Sequence, residues 1–207
     1  MDLFGYAPTR NLLPYDGEVF YHGPILNAHE AGSLLHALLT KVPWKNDEGV
    51  FYGKHIIAAR KVAWYGDLEY AYTYSGTTKQ ALPWTHELLS IRNLVEERTA
   101  ISFNSCLLNL YQDGSEGMGW HSDDEKSLGR NTPIASLSFG AERKFSFRHN
   151  QTRESLSLVL ENGSLLVMQG TTQTYWQHCV PKSKKITMPR VSLTFRTIVL
   201  NPTKSRP

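Results

Sequence analysis

The chain has 207 residues, of which 41% are hydrophobic and 20% charged, and its formal net charge is +3. This length suits one domain, and this composition excludes a disordered or collagen-like chain. So small a positive charge favours a polyanionic partner only weakly. No run of about 18 apolar residues and no signal peptide is found, which predicts no membrane segment and a cytoplasmic location, or a nuclear one in a eukaryote. Cys106 and Cys179 are interpreted as reduced packing residues.

Two helices are predicted in the first half of the chain. Asn27 followed three residues later by Glu30 resembles a capping box, and leucines at helical spacing continue to about Lys41. A second helix begins near residues 83–85, carries apolar residues on one side and fades at 97–99. We expect both helices to support the core of the domain.

From about residue 101, short runs rich in β-forming residues alternate with Gly, Asn and Asp turns. The predicted strands are 103–111, 132–139, 143–148, 155–160, 164–168 and 190–200. Helices followed by such strands predict an α+β fold, a double-sheet jelly roll with the helices buttressing one face. Residues between the two helices mix aromatics with glycines, which predicts hairpins that project over a surface.

A candidate metal site lies in the second half of the chain. His121 and Asp123 are two residues apart, so on a strand their side chains would emerge on one face. His178, after the predicted strand 164–168, is the third candidate. Two imidazoles and one carboxylate on one triangular face leave three positions open, as in non-haem Fe(II) oxygenases. Taken alone, the His-x-Asp pair also fits a solvated histidine beside acids.

Two arginines suggest an anion site. Arg190 and Arg196 are six residues apart on a predicted strand, an even spacing that places both on one side. Burying guanidinium groups is costly unless they meet an anion, and a dicarboxylate would satisfy both. The alternative is an edge strand with two solvated arginines.

Over roughly residues 44–200 the chain resembles the AlkB family, most of all its members that repair duplex DNA. The strings that carry this resemblance are Arg60-Lys61, Trp64-Tyr65-Gly66-Asp67, Tyr72-Thr73-Tyr74-Ser75-Gly76, Phe103-Asn104-Ser105, Asn109-Leu110-Tyr111, Trp120-His121-Ser122-Asp123-Asp124-Glu125, Ser136-Leu137-Ser138-Phe139-Gly140 and the segment from Arg190 to Arg196. Together they are far more specific than any single motif.

The resemblance implies Fe(II), 2-oxoglutarate and O2 as cofactor and cosubstrates. His121, Asp123 and His178 would bind the iron. The residues implied for 2-oxoglutarate are Arg190 with Tyr111 at its distal carboxylate, Arg196 with Asn109 at the metal-chelating carboxylate, and Ser192. Because Ser192 stands where the family often has Asn, we expect it to weaken cosubstrate binding.

The implied reaction is oxidative dealkylation of DNA bases, with 1-methyladenine and 3-methylcytosine as expected lesions and succinate, CO2 and an aldehyde as products. Asp123 speaks against a halogenase, which replaces this carboxylate with a small residue. One alternative is the same chemistry on RNA or on a protein side chain. Another is a non-catalytic nucleic-acid-binding relative, against which the intact metal and arginine residues argue.

The resemblance also implies contacts with a base flipped out of double-stranded DNA. Tyr74 and the ring of His121 would sandwich the base, with Tyr72 nearby, while Glu125 and Asp124 would read an exocyclic amine. An apolar tip beside cations predicts a wedge that enters the duplex, formed by Phe51, Tyr52, Gly53 and Arg60. The candidate phosphate contacts are Lys54, Arg60, Lys61, Arg143, Lys144 and Arg148. Hairpin packing for the tyrosines and solvated surface for the cations are the alternatives.

One dioxygenase domain, acting as a monomer, is therefore predicted. Its predicted parts are an N-terminal extension and helix at 1–42, a nucleotide-recognition lid of hairpins at 43–80, a supporting helix at 81–100 and a jelly-roll catalytic core at 101–200.

Overall fold

The computed structural model of the chain describes residues 10–51, 54–74 and 77–199. Within these ranges the helices are α1 (Ala28–Lys41), α2 (His86–Thr99) and the single turn α3 (Thr172–Tyr175). The strands, in chain order, are β1 (Glu18–Pro24), β2 (Lys45–Phe51), β3 (Lys54–Gly66), β4 (Ala71–Tyr74), β5 (Thr77–Gln80), β6 (Ser105–Tyr111), β7 (Met118–His121), β8 (Ile134–Gly140), β9 (Arg143–His149), β10 (Ser155–Leu160), β11 (Ser164–Gln169), β12 (Trp176–Val180) and β13 (Arg190–Arg196).

Two antiparallel sheets form the body of the domain. The larger has seven strands in the order β1-β11-β8-β13-β6-β3-β2, and the smaller has four in the order β10-β9-β12-β7. A separate hairpin pairs β4 with β5. The predicted α+β jelly roll with supporting helices is confirmed.

The central strand β13 shows how the sequence divides the two faces of the larger sheet. Because side chains alternate along a strand, Val191, Leu193 and Phe195 all enter the apolar cluster beneath the helices. The residues between them face the opposite way, into a cavity between the two sheets.

The helices cover one face of the larger sheet. The predicted capping box of α1 is confirmed, since the Asn27 side chain accepts from the Glu30 backbone and the Glu30 side chain accepts from the Asn27 backbone. α1 packs on β8 and β13. In α2 the buried residues are Leu88, Ile91 and Val95, and they join the same apolar cluster.

A second apolar cluster lies between the two sheets. Ile134 and Leu166 come from the larger sheet, while Phe147 and Trp176 come from the smaller one. All four side chains are buried to 1% exposure or less. The cavity adjoins this cluster, since Phe145, Met168 and Val180 belong to the cluster and also line the cavity.

Strands β1 and β12 escaped prediction, and β7 was expected only through the assumption that His121 and Asp123 share a strand. β7 and β12 are short, and they carry histidine, glycine and glutamine where an ordinary core strand alternates apolar with polar residues. The predicted hairpin segment also contributes more to the sheet than expected, because β3 continues through residues 61–66 as the neighbour of β6. Strand β13 ends at Arg196, short of the predicted end at 200.

Neither α1 nor α2, the two longest helices in the described ranges, has the length and apolar character needed to span a bilayer.

Candidate metal centre and the cavity around it

A cavity of about 540 Å³ opens between the two sheets. Its lining includes the inner faces of β13 and β6, the strand β7 with the segment that follows it, and His178 on β12. The polar and charged side chains in this lining include all eight predicted metal and cosubstrate residues, which the fold therefore brings to one place.

The three predicted metal ligands converge in this cavity. One ligand atom each from His121, Asp123 and His178 lies within 4.8 Å of the other two. Asp123 Oδ1 is 3.9 Å from His121 Nε2, and Asp123 Oδ2 is 4.0 Å from His178 Nε2. Such a donor set on one side of an ion is the arrangement that Fe(II) oxygenases use.

Strand pairing accounts for the two histidines. His121 on β7 is the register partner of His178 on β12, and their ring centroids are 4.2 Å apart. We expected Asp123 to share a strand with His121. In the structure β7 ends at His121, so Asp123 reaches the centre from the segment that follows the strand. His121 Nδ1 lies 2.9 Å from the Gly119 carbonyl oxygen, a contact that leaves Nε2 as the metal-facing atom when Nδ1 carries the proton.

The charges at the centre suit a metal ion. Burial lowers the pKa of His178 to about 3, so its imidazole is neutral and has a free lone pair at physiological pH. Burial alone would raise the pKa of Asp123, but Arg196 and the two imidazoles bring that pKa below its ordinary value. Asp123 is therefore ionised, as a metal ligand must be.

Arg196 connects the metal centre to a second carboxylate. Its Nη2 donates to Asp123 Oδ1 at 2.8 Å, and its Nη1 donates to Glu125 Oε1 at 3.4 Å. Burial would lower the pKa of Arg196, but the charges of Asp123 and Glu125 outweigh it and raise that pKa. The Nε atom of Arg196 is buried and has no partner among the described residues.

Arg190 shows that the residues fit a carboxylate cosubstrate. The residue is 1% exposed, its Nη2 donates to Ser138 Oγ at 3.0 Å, and its Nε and Nη1 have no partner among the described residues. Its guanidinium carbon is 5.5 Å from the centre of the Tyr111 ring. Burial lowers the pKa of Arg190 to about 10, so the group stays cationic at neutral pH. Unpaired buried N–H groups of a cation are what an incoming carboxylate satisfies.

Asn109 and Ser192 stand next to this cation on the cavity side. They are register partners on β6 and β13, and they are 5% exposed each. Asn109 Oδ1 is buried without a partner among the described residues. The five predicted 2-oxoglutarate residues thus line one wall of the cavity, although their individual roles stay predictions.

The residues predicted to read the base are partly described. Asp124 and Glu125 line the cavity, and Glu125 Oε2 is buried without a partner among the described residues, while Asp124 is exposed. Tyr52 and Gly53 lie outside the described residues. For Phe51, Tyr72 and Tyr74 the structure describes the backbone alone, so their predicted contacts stay predictions.

The predicted phosphate contacts have different surroundings, and for Lys54 the structure describes the backbone alone, so that contact stays a prediction. Arg60 lines the cavity, forms an ion pair with Asp47 and donates from Nη1 to Met118 Sδ at 3.0 Å. Lys61 is half-buried and Lys144 is exposed. Arg148 lies over the Trp120 ring, with its guanidinium carbon 4.2 Å from the ring centre.

The structure contradicts the prediction that Arg143 contacts phosphate. It is 1% exposed and donates to the carbonyl oxygens of Asp113, Glu116 and Pro181 at 3.3, 2.8 and 3.0 Å. A buried guanidinium whose N–H groups already bond three main-chain carbonyls does not meet phosphates, so the predicted phosphate contact is wrong.

Several residues of the site were not predicted. Phe145 stacks on His178 with ring centroids 5.3 Å apart, and Ser138 holds Arg190. Gln173 accepts from the backbone of Asp123. The strings that included Ser138 marked the family but did not indicate this contact, and neither Phe145 nor Gln173 belongs to a motif.

Residues 18–196 match the model of the 2OG-Fe(II) oxygenase superfamily. The chain therefore belongs to this superfamily.

Within the superfamily, the chain is similar to AlkB homologues, which confirms the resemblance found in the sequence. It is 44% identical over 183 residues to "Alpha-ketoglutarate-dependent dioxygenase alkB homolog 3" of Bos taurus, covering 84% of this chain and 63% of that protein. It is 45% identical over 161 residues to "DNA oxidative demethylase ALKBH2" of Mus musculus, covering 74% of this chain and 66% of that protein. The chain thus spans somewhat less than two thirds of these relatives.

A solved structure supports the fold. "The structure of OsALKBH1" matches with a TM-score of 0.64 at 18% identity and covers 89% of this chain and 99% of that one. At this identity the match bears on the fold alone.

Proposed function

We propose that the protein removes alkyl groups from DNA bases by oxidation, using Fe(II), 2-oxoglutarate and O2, and so repairs lesions such as 1-methyladenine and 3-methylcytosine. The observation that carries this proposal is the convergence of His121, Asp123 and His178 beside two buried guanidinium groups in one cavity. The names of two similar proteins, a DNA oxidative demethylase and an α-ketoglutarate-dependent dioxygenase, support the same chemistry.

The protein would hold the reactants as follows. His121, Asp123 and His178 bind Fe(II), and Arg190 binds the distal carboxylate of 2-oxoglutarate through Nε and Nη1, which bond no other described residue. When bound, the iron and 2-oxoglutarate supply the oxidation of the alkyl group by O2, with release of succinate, CO2 and an aldehyde. Phe145, Met168 and Val180 of the second apolar cluster line the cavity and would keep water from that part of the wall.

Glu125 would recognise the damaged base. Its Oε2 is a buried acceptor with no partner among the described residues, and Oε1 is 3.4 Å from Arg196 Nη1. An exocyclic amine of adenine or cytosine can donate to Oε2. Methylation at the ring nitrogen makes both bases cationic, so a carboxylate also favours the lesion over the undamaged base electrostatically.

We also propose double-stranded DNA with a flipped base as the substrate. Support comes from the apolar tip at Phe51, Tyr52 and Gly53, and from Arg60 at the rim of the cavity. Action as a monomer, in the cytoplasm or in a eukaryotic nucleus, belongs to the same proposal.

Mass spectrometry of methylated oligonucleotides tests the proposal. Single-stranded and duplex DNA carrying 1-methyladenine or 3-methylcytosine are incubated with the protein, Fe(II), 2-oxoglutarate and ascorbate, alongside matched methylated RNA and peptide. We expect a loss of one methylene's mass from DNA, with stoichiometric succinate, and no loss with His178→Ala. Succinate production stimulated by RNA or peptide and not by DNA would favour the alternative substrates. Full activity of His178→Ala would refute the mechanism.

The duplex proposal has its own variant. Tyr52→Ala should lower repair of duplex DNA far more than repair of single strands, because only a duplex needs a wedge to hold the flipped state. Equal losses of repair on duplex and single-stranded DNA would contradict the proposed wedge.

A further inference from the structure

Gln173 lies outside every predicted motif but accepts a hydrogen bond from the backbone of the predicted metal ligand Asp123. It belongs to α3, the helical turn that precedes β12 and its ligand His178. The backbone N–H of Asp123 donates to Gln173 Oε1 at 2.9 Å, and Gln173 Nε2 lies 3.4 Å from Met168 Sδ. The Gln173 side chain thus links the segment that carries Asp123 to the segment that leads to His178, across 50 positions in sequence.

A second bond links the same two segments. Ser122, which lies between the ligands His121 and Asp123, donates from Oγ to the Trp176 carbonyl at 3.0 Å. Trp176 is fully buried, and its indole N–H donates to the Tyr15 carbonyl at 3.0 Å. The segment that carries Asp123 is therefore bound to a rigid part of the fold at two successive residues.

The turn α3 is itself firmly held. Thr172 is 1% exposed, and its Oγ1 accepts from the Glu18 backbone N–H at 2.8 Å and lies 2.6 Å from the Gln169 carbonyl oxygen. These contacts join α3 to the ends of β1 and β11. Gln173 thus projects from a fixed support.

Asp123 needs such a support because strand pairing does not reach it. β7 ends at His121, whose position is set by its register with His178. Arg196 holds the Asp123 carboxylate, but it does not hold the main chain. Without a main-chain contact, ordering this loop on metal binding would cost conformational entropy.

We propose that Gln173 is a positioning residue for the metal centre, which fixes the main chain of Asp123 so that the three ligands are arranged before the ion binds. The Ser122–Trp176 bond acts in the same way. Partners that orient metal ligands commonly change metal affinity by about 10- to 100-fold when removed. This inference rests on the metal centre and not on the nucleic-acid substrate.

The test compares four chains by anaerobic titration calorimetry with Fe(II) alone. Gln173→Leu keeps the approximate volume and removes the acceptor, and we expect its Kd for Fe(II) to rise about 10- to 100-fold. Gln173→Glu restores an acceptor oxygen and should retain most of the affinity. Thr174→Ala alters an exposed side chain of the same turn and should leave Kd unchanged.

Thermal unfolding separates positioning from a general loss of stability. Bound metal raises Tm according to its affinity, so Fe(II) should raise the Tm of Gln173→Leu less than that of the unaltered chain. Ser122→Ala, which leaves α3 intact, should also bind Fe(II) more weakly.

An unchanged Kd in Gln173→Leu or Ser122→Ala would overturn the inference, as would equal losses in Gln173→Leu and Gln173→Glu. Failure of the unaltered chain to bind Fe(II) would contradict the metal centre, and with it the proposed function.

Discussion

The two faces of the seven-stranded sheet are both buried but differ in chemistry. On β13, Val191, Leu193 and Phe195 face the helices and are 0% exposed. Arg190 and Ser192, which alternate with them, face the cavity and are 1% and 5% exposed. Both sides are therefore buried at these positions, but the helix side has apolar contacts, whereas on the cavity side nitrogen atoms of Arg190 have no partner among the described residues.

The neighbouring strand β6 repeats this division. Leu108 and Leu110 enter the apolar cluster beneath the helices, while Asn109 and Tyr111 line the cavity. Buried apolar contacts stabilise a fold, whereas a buried polar group without its partner costs free energy. We therefore expect the helix-covered face to determine stability and the cavity face to determine binding, with little overlap between the two.

Replacing Arg190 should give the largest effect. Arg190→Met removes a buried cation whose Nε and Nη1 have no partner in the part of the chain that the structure describes, and each hydrogen bond to a charged partner contributes about 1.5–3 kcal/mol. The Kd for 2-oxoglutarate should rise by roughly 10²- to 10⁴-fold. The measurement is anaerobic titration of the weak visible charge-transfer band that forms with Fe(II).

In the absence of 2-oxoglutarate, Arg190→Met should unfold at the same denaturant concentration as the unaltered chain or a higher one, because a buried cation is costly. Arg98→Met, on an exposed part of α2, is the matched control and should leave 2-oxoglutarate binding unchanged. A strong loss of stability in Arg190→Met would show that the cavity face also holds the fold.

On the opposite face of the same strand, Leu193→Ala should have the reverse effect. Leu193 is 0% exposed, and removing a buried leucine side chain costs about 2–5 kcal/mol of unfolding free energy. The folded fraction should bind 2-oxoglutarate with an unchanged Kd. Urea unfolding and the charge-transfer titration measure the two quantities, and a tenfold change in Kd would break the separation of the faces.

The division between the helix-covered face and the cavity face could be predicted from the sequence where it follows from the alternation of side chains along a strand. The even spacing of Arg190 and Arg196 placed both on one side of a strand, and the structure has them in the cavity lining. The capping box at Asn27 likewise depends on residues three apart. Local periodicity determines both features, so neither needs the rest of the fold.

The parts that escaped prediction depend on contacts between distant segments. Arg143 was predicted as a phosphate contact at the surface, but it is buried and donates to main-chain carbonyl groups of loops that are distant in sequence. The bond from Asp123 to Gln173 exists because β12 and β7 pair, and both strands lack ordinary alternation. The wedge at Tyr52 lies outside the described residues and stays a prediction.

Lowering the pH should destabilise the metal-free protein through His178, which lines the cavity. The pKa of His178 is about 3 in the folded chain and near 6.5 when exposed, so between these values the unfolded chain binds a proton that the folded chain excludes. Stability of the metal-free protein should therefore fall as pH drops from about 6.5 towards 3. Urea unfolding after chelation measures this slope, and His178→Gln should flatten it above about pH 4. An unchanged slope would place the acid-sensitive group elsewhere.

The smallest effect concerns Ser192, where the chain departs from the residue that the AlkB family often has. Ser192→Asn adds an amide beside Asn109 on the cavity wall, and one further hydrogen bond to 2-oxoglutarate contributes about 0.5–1.5 kcal/mol. The Kd for 2-oxoglutarate should fall by roughly 2- to 10-fold. Without 2-oxoglutarate the same amide is a buried polar group lacking a partner, so the unfolding free energy should decrease slightly. If the cavity face serves ligand binding, Ser192→Asn should strengthen 2-oxoglutarate binding and lower the unfolding free energy. A variant that gains in both quantities, or loses in both, would contradict this role of the cavity face.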